Sequence, residues 1–286
     1  MEEKLKIAVQ KSGRLHDGSI SLLKECGIRI DNGRDQLIAP ARDFPVEVLF
    51  LRNSDIPQYL EDGVADMAIL GENVVIEKQK QVEVVEKLGF SRCRLSLAVP
   101  KNTEYTGPEW FNNKKLATSY PNTLEKYLEE NNIKAEIHEI SGSVEIAPNI
   151  GLADGICDLV SSGSTLFKNN LKEVEVMLRS EAALVKGPDL NREKVAIADE
   201  LLFRLRSVMA SRNNKYILLN APNEKIDDIC NVLPGMKSPT IMPLAMEGWS
   251  SLHSVISEKD FWAVIGKLKE NGAQGILVIP IEKMVV

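Results

Sequence analysis

Short aliphatic runs alternate with helix-periodic stretches along most of the chain. Residues 5–9, 46–51, 66–70, 95–99, 115–119 and 156–160 are such runs, the form taken by strands buried on both faces of a sheet. Between them lie a helical stretch from the loop at 11–14 to about Cys26, another at 56–62, and another from Pro121 to about Asn131. Pro121 suits a first helical turn, where its missing N–H is not needed. This alternation predicts an α/β class with mostly parallel strand pairing. Residues 191–212 carry the longest helical pattern, with Val195, Ala198, Leu201, Leu202, Leu205, Val208 and Met209 at helical spacing. That stripe reads as packing surface.

The pattern changes near the end. Residues 216–220 read as a strand, 222–232 as a helix, 240–244 and 249–256 as strands, 258–270 as a helix stopped by Asn271 and Gly272, and 275–279 as a last strand. The order βαββαβ is a ferredoxin-like unit. Pro100, Gly107 and Pro108 punctuate the earlier part, and Gly187 with Pro188 ends a short strand at 182–185. These breaks divide the chain into a first lobe of 1–98 with 185–213, a second lobe of 99–184, and a C-terminal domain of 214–286. Two α/β lobes with two crossings give a bilobal architecture of the periplasmic-binding-protein type, with an active site in the cleft.

Composition narrows the function. The chain has 286 residues, 44% hydrophobic and 27% charged, with a formal charge of −6. No basic tract offsets that charge, which argues against nucleic-acid binding. A local cluster of cations can still reverse the field inside one cleft. Cys26, Cys93, Cys157 and Cys230 are scattered, without metal-ligand spacing, and fit reduced core residues of a cytoplasmic protein. The N-terminus lacks an apolar signal core, and no run reaches the roughly 18 apolar residues of a membrane span. His16, His138 and His253 lie far apart, and His16 reads as a solvated helix residue.

The chemistry concentrates in residues 145–166. A buried strand containing Asp158 runs into Ser161, Ser162, Gly163, Ser164 and Thr165 at a helix start. Such a turn presents several backbone N–H groups together, and the helix dipole adds positive charge. That arrangement holds phosphate, and Asp158 could accept from the hydroxyls of an attached sugar. The residues alone equally fit an ordinary helix cap. Lys11, Gly13 and Arg14 follow the first strand, where open α/β sheets place ligands, although a solvated turn also fits. Gly71 permits close backbone approach, and Glu72 after it is either a ligand residue or a helix-starting acid.

Glu145, Gly151, Ala153, Ile156, Asp158, Leu159, Ser162, Gly163, Thr165 and Leu166 match, position by position, the signature of the ATP phosphoribosyltransferase family. Gln10 to Leu15 in sequence (QKSGRL), Gly71-Glu72-Asn73, Cys93 to Ala98 (CRLSLA), Ala117 to Pro121 (ATSYP) and the closing IPIEKM also resemble the long form of that family. The resemblance implies condensation of ATP with phosphoribosyl pyrophosphate, assisted by Mg²⁺, at the head of histidine biosynthesis. It implies that Ser161 to Thr165 hold the 5′-phosphate and that Asp158 and Glu145 accept from the ribose. Lys11 and Arg14 would meet the leaving pyrophosphate, while Arg52, Glu72 and Arg94 would place ATP. Mg²⁺ would be held largely through substrate phosphates, so no protein metal cage is expected.

The resemblance further implies that the C-terminal domain is an ACT-like regulatory unit binding histidine as an inhibitor; Asn220 and the loop 234–240, with Met236, Ser238 and Thr240, offer backbone groups and hydroxyls for it, although plain turn residues also fit. It implies a homo-oligomer, dimer and hexamer, acting without a separate regulatory subunit. Two other classes remain in view. A two-lobed solute-binding protein is opposed by the missing export signal and by the appended C-terminal unit. A catalytically silent regulatory subunit is opposed by the intact signature and the retained Lys11 and Arg14.

Overall fold

A computed structural model describes residues 3–31, 36–233 and 238–285. The described chain forms two compact units. One holds the residues up to Lys24 together with Ile28–Ile197, and the other holds Glu25–Gly27 together with the residues from Ala198 onward.

The first unit contains two sheets. It opens with β1 (Leu5–Gln10), α1 (Arg14–Glu25), β2 (Ile38–Pro40), β3 (Val46–Leu51), α2 (Ile56–Glu61), β4 (Met67–Gly71), α3 (Glu72–Lys78) and β5 (Glu83–Lys87). It continues with β6 (Cys93–Pro100), β7 (Lys115–Thr118), α4 (Pro121–Glu130), β8 (Glu136–Glu139), β9 (Gly155–Val160), α5 (Ser164–Lys168), β10 (Leu171–Ser180) and β11 (Ala182–Lys186). The first sheet has the order β2-β3-β1-β4-β11-β5 and the second the order β10-β6-β9-β7-β8. Central strands β1, β4 and β11 are buried along nearly their whole length, which is why their sequences are continuous apolar runs rather than alternating ones.

The pairing is mixed, not mostly parallel as the alternation of elements predicts. β1 pairs parallel with β3 and β4, and β7 with β8 and β9. β6 and β11 enter their sheets antiparallel to β9 and β4. Those are the strands by which the chain passes from one sheet to the other and back. Strand β6 also falls in the second sheet, so residues 93–98 do not belong with the first lobe as the sequence reading places them. Strands β2 and β5 carry little apolar signal; β5 is exposed or half-buried throughout, which hid it.

The longest helix, α6 (Arg192–Arg212), matches the sequence reading within a residue. Its start is tied to the first sheet by Lys194 Nζ on Asp66 Oδ1 at 2.9 Å. From Ala198 on it belongs to the second unit, whereas the sequence reading gives the whole helix to the first lobe. The helical stripe alone does not say which core it serves.

The second unit continues with β12 (Asn214–Pro222), α7 (Ile226–Val232), β13 (Thr240–Pro243), β14 (Trp249–Ser257), α8 (Glu258–Glu270) and β15 (Gln274–Pro280). Its sheet is fully antiparallel, in the order β13-β14-β12-β15, the ferredoxin-like topology expected from βαββαβ. Ile217, Leu219, Ala221, Leu252 and Ile256 alternate onto the buried face, where Ile229 and Leu268 also pack.

The second-sheet core is anchored by Phe111, fully buried, with the rings of Trp110 and Tyr105 at 5.3 and 5.7 Å. Phe111→Ala should cost about 4 kcal/mol of stability, read as a lower urea midpoint at unchanged slope. A loss below about 1 kcal/mol would show that the site collapses around the cavity.

Candidate active site

Both sheets of the first unit turn the carboxyl ends of their parallel strands into loops, the usual place for ligands in α/β folds. In the first sheet β1 ends in the loop 11–13. Its backbone is anchored by the Lys11 N–H on the Leu51 carbonyl at 2.8 Å and by Gln10 Nε2 on the Ser12 carbonyl at 2.7 Å. Gly13 has φ +91°, a left-handed conformation that only glycine adopts without strain. Lys11, Gly13 and Arg14 are exposed.

In the second sheet β9 ends in the turn Ser161, Ser162, Gly163, leading to Ser164 and Thr165 at the start of α5. Gly163 has φ +80°, and Ser162 Oγ donates to Ser164 Oγ at 3.1 Å. Helix α5 is only five residues long, so its dipole adds little. Anion affinity here must come from the turn's own N–H and hydroxyl donors and from neighbouring cations. Arg14 supplies one, its Nη1 donating to Ser161 Oγ at 3.0 Å. Arg14 and Ser161 both line two adjoining hollows. One is walled by residues 158–166, and the other by Gly71, Asn73, Arg92 and Cys93 among others.

Asp158 is half-buried on β9. Burial pushes its carboxyl up to about 6; the Leu159 N–H, 2.7 Å from Oδ1, pulls it down, and the charge of Glu145 pushes it up. Asp158 and Arg14 thus both line the hollow at the turn, with Glu145 close enough to Asp158 to act on its charge. The phenol of Tyr120 is raised well above its usual range, first by burial and then by Asp158. Its oxygen accepts from Asn73 Nδ2 at 3.2 Å.

The remaining sequence candidates are placed as follows. Arg94 does not point at open space. It forms a two-pronged pair with Glu173, both distances 2.5 Å, and its Nη1 donates to the Ser161 carbonyl at 3.2 Å. Glu173 is held below the usual carboxylate range, chiefly by Arg94. Glu72 pairs with Lys87 at 3.0 Å in a hollow shared with Arg92, Cys93, Arg179 and Glu181. Arg52 is exposed at the end of β3 and is not among the lining residues of these hollows. Sequence reasoning passed over Asn73, Arg92, Cys93 and Tyr120 as site residues. All four lie in or beside quoted motifs, which was the available signal.

In the C-terminal unit Asn220 is half-buried on β12, opposite Ser251 and Gln274. Thr240 is exposed opposite His253, and Ser238 is exposed just before β13. Met236 lies outside the described residues. His253 is not isolated: Tyr216 Oη is 2.8 Å from Nδ1 and Ser251 Oγ is 3.1 Å from Nε2. His16 is half-buried rather than fully solvated. Its Nδ1 is 2.8 Å from the Gln10 carbonyl and its ring lies 5.6 Å from that of Phe50. Among the described residues no group of three or more His, Cys, Asp or Glu is placed to hold a metal, and no helix is long and apolar enough to cross a membrane.

The family profile described as ATP phosphoribosyltransferase matches residues 52–207, more than half of the chain. The chain belongs to the ATP phosphoribosyltransferase family. A second profile, described as HisG, C-terminal domain, matches residues 211–283. The ATP phosphoribosyltransferase of Cytophaga hutchinsonii is 60% identical over 285 residues, covering 100% of both chains. That of Bacteroides fragilis is 56% identical over 282 residues, covering 99% of this chain and 100% of its own. Among solved structures, the ATP phosphoribosyl transferase (HisG:HisZ) complex of Thermotoga maritima contains a chain 30% identical to this one. It covers 72% of this chain and 98% of that one, with a TM-score of 0.63. A family member of this kind is a phosphoribosyl-transferring enzyme, and its first unit is built on two α/β sheets.

The acid pair can be tested without substrate. Asp158 should titrate near pH 6, and Glu145→Gln should lower that value by removing a repelling charge. Carbon-detected NMR of the carboxyl would follow both; an unchanged midpoint would separate the two acids.

Proposed function

We propose that this chain joins ATP to 5-phosphoribosyl 1-pyrophosphate, giving phosphoribosyl-ATP and pyrophosphate, and so opens histidine biosynthesis in the cytoplasm. The observation that carries the reading is the 3.0 Å contact between Arg14 and Ser161, which puts the cationic loop after β1 against the turn after β9. The Ser161 to Thr165 turn would hold the 5′-phosphate with backbone N–H groups and hydroxyls. Asp158, ionised above about pH 6, would accept from the ribose hydroxyls, with Glu145 beside it.

In the reaction a ring nitrogen of adenine attacks the anomeric carbon while the bond from that carbon to the pyrophosphate oxygen breaks. Positive charge grows on the ribose and negative charge on the leaving group. The acids at 145 and 158 lie on the ribose side, and Lys11 and Arg14 serve the leaving pyrophosphate. Charges fixed in advance where charge develops stabilise the transition state. No protein nucleophile is needed; holding the two substrates in line supplies much of the acceleration. Among the described residues no acid, Cys or His cluster would hold a metal, so Mg²⁺ would be carried largely by the substrate's phosphates. When bound it neutralises charge on the departing oxygens. Gly13, Gly71, Arg52 and Glu72 would border ATP, and Arg94 would act by holding the turn.

The C-terminal unit is proposed to bind histidine near Asn220, Ser238 and Thr240 and to inhibit the enzyme. An effector of this kind acts only by binding one arrangement of the protein better than another. The assembly is proposed to be a homo-oligomer of dimers and hexamers without a separate regulatory subunit.

Pyrophosphate release should require ATP, phosphoribosyl pyrophosphate and Mg²⁺ together, and histidine should suppress it. Release indifferent to histidine would remove the regulatory reading alone; no release from folded protein would remove the enzyme reading. Thr165→Val should weaken phosphoribosyl pyrophosphate binding about tenfold, a typical hydrogen bond to a charged group, with the melting temperature little changed. Binding should also weaken as pH falls through about 6, because protonated Asp158 loses acceptor capacity; isothermal titration across roughly pH 5–8 would show the step, and Asp158→Asn should shrink it to the part due to the ligand's own phosphate, which titrates at about 6 as well.

A further inference from the structure

Glu77 occupies a position that its own helix does not explain. It lies in the last turn of α3, where the helix dipole disfavours an acid, and it is 4% exposed. Its partners all come from the other sheet's helix, α4. Oε1 accepts from the Asn122 N–H at 3.0 Å. Oε2 accepts from the Thr123 N–H at 2.9 Å and from Thr123 Oγ1 at 2.7 Å. The Glu77 carbonyl accepts from Asn122 Nδ2 at 2.9 Å.

These are the N–H groups that the start of α4 leaves unsatisfied. Pro121 is the first helical residue and has no N–H. Tyr120, ahead of it, makes no side-chain cap. One carboxylate from the first lobe therefore does the work of an N-cap for a helix of the second. The same junction carries the Asn73–Tyr120 bond, and Asn73 is itself fixed by Ser180, whose Oγ donates to Asn73 Oδ1 at 2.9 Å and accepts the Asn73 N–H at 3.0 Å. The clasp and the cleft share these elements: α3 begins at Gly71 and Asn73 in the lining, and α4 begins beside Tyr120 near Asp158.

We propose that Glu77 is a positioning residue that clasps α4 across the two lobes and fixes the spacing at which Lys11 and Arg14 face the Ser161 to Thr165 turn. Through this clasp, a ligand that spans both lobes gains affinity that a one-lobe ligand does not. The inference rests on the phosphoribosyl pyrophosphate reading. That ligand spans both lobes, with its 5′-phosphate on the turn and its pyrophosphate toward Lys11 and Arg14. Ribose 5-phosphate carries only the part that meets the turn.

The test uses the full chain with Glu77→Gln, which keeps the side-chain volume, and Thr123→Val, which removes one donor from the opposite side. Hydrogen exchange reports the clasp without any ligand, and calorimetric titration compares the two sugar phosphates. Exchange at Asn122 and Thr123 should quicken about tenfold in Glu77→Gln, with β9 amides unchanged. Phosphoribosyl pyrophosphate should bind about tenfold more weakly while ribose 5-phosphate stays within about twofold. Thr123→Val should shift both readings in the same direction by less. Unchanged exchange would overturn the clasp. Faster exchange with both ligands weakened equally, or neither, would overturn its control of the spacing. If the unaltered protein binds neither sugar phosphate, the functional reading fails and takes the spacing role with it, whereas the exchange result still stands on its own.

Discussion

The Arg94–Glu173 pair is the interaction on which the turn after β9 rests. The turn after β9 must be rigid, yet it cannot spend its donors on the protein and still offer them to a phosphate. The solution is to hold it by its acceptors. Arg94 uses two N–H groups on Glu173, which fixes the guanidinium, and reaches the Ser161 carbonyl with a third. Ser96 adds a 2.7 Å hydroxyl bond to Glu173. A planar fork with five donors can do this, whereas a lysine ammonium could not. The arrangement holds the turn through a carbonyl rather than through its N–H groups and ties Arg94 to Glu173.

That use of Arg94 shows where sequence reading stops. A cation one residue into a strand beside a phosphate motif reads as a ligand contact, because its partner is 79 residues away and nothing local marks Glu173. The turn itself was legible, since Gly163 sits where the backbone needs φ +80° and hydroxyl residues crowd around it. The sequence singles out Asp158 as the acid ahead of the turn but not its raised titration, which comes from burial and from Glu145 on another element. The buried strands were readable from continuous apolar runs. The exposed strand β5 was not, because polar residues suffice at a sheet edge.

The mixed pairing has a similar origin. Alternating strands and helices fix the local crossover but say nothing of how a chain leaves one sheet and enters the next. β6 and β11 run antiparallel to β9 and β4 because they arrive from the other sheet rather than from a helix on the same one. The ferredoxin-like unit posed no such difficulty: its elements are consecutive, and the antiparallel order follows from the order of elements alone.

Residues that break a local rule are therefore the informative ones in this fold. An acid at the end of α3, a half-buried acid on β9 and an arginine turned away from the cleft each oppose what their own segment prefers. A folded chain tolerates such conflicts where a distant partner offsets them. For Arg94 and Glu77 the partner lies on another element, in the case of Glu77 on the other sheet's helix, whereas Asp158 is held by the Leu159 N–H of its own strand. The conflicts cluster around the β9 turn and the two helices beside it. That is the region where two independently built sheets must agree on one geometry before a sugar phosphate can be held between them.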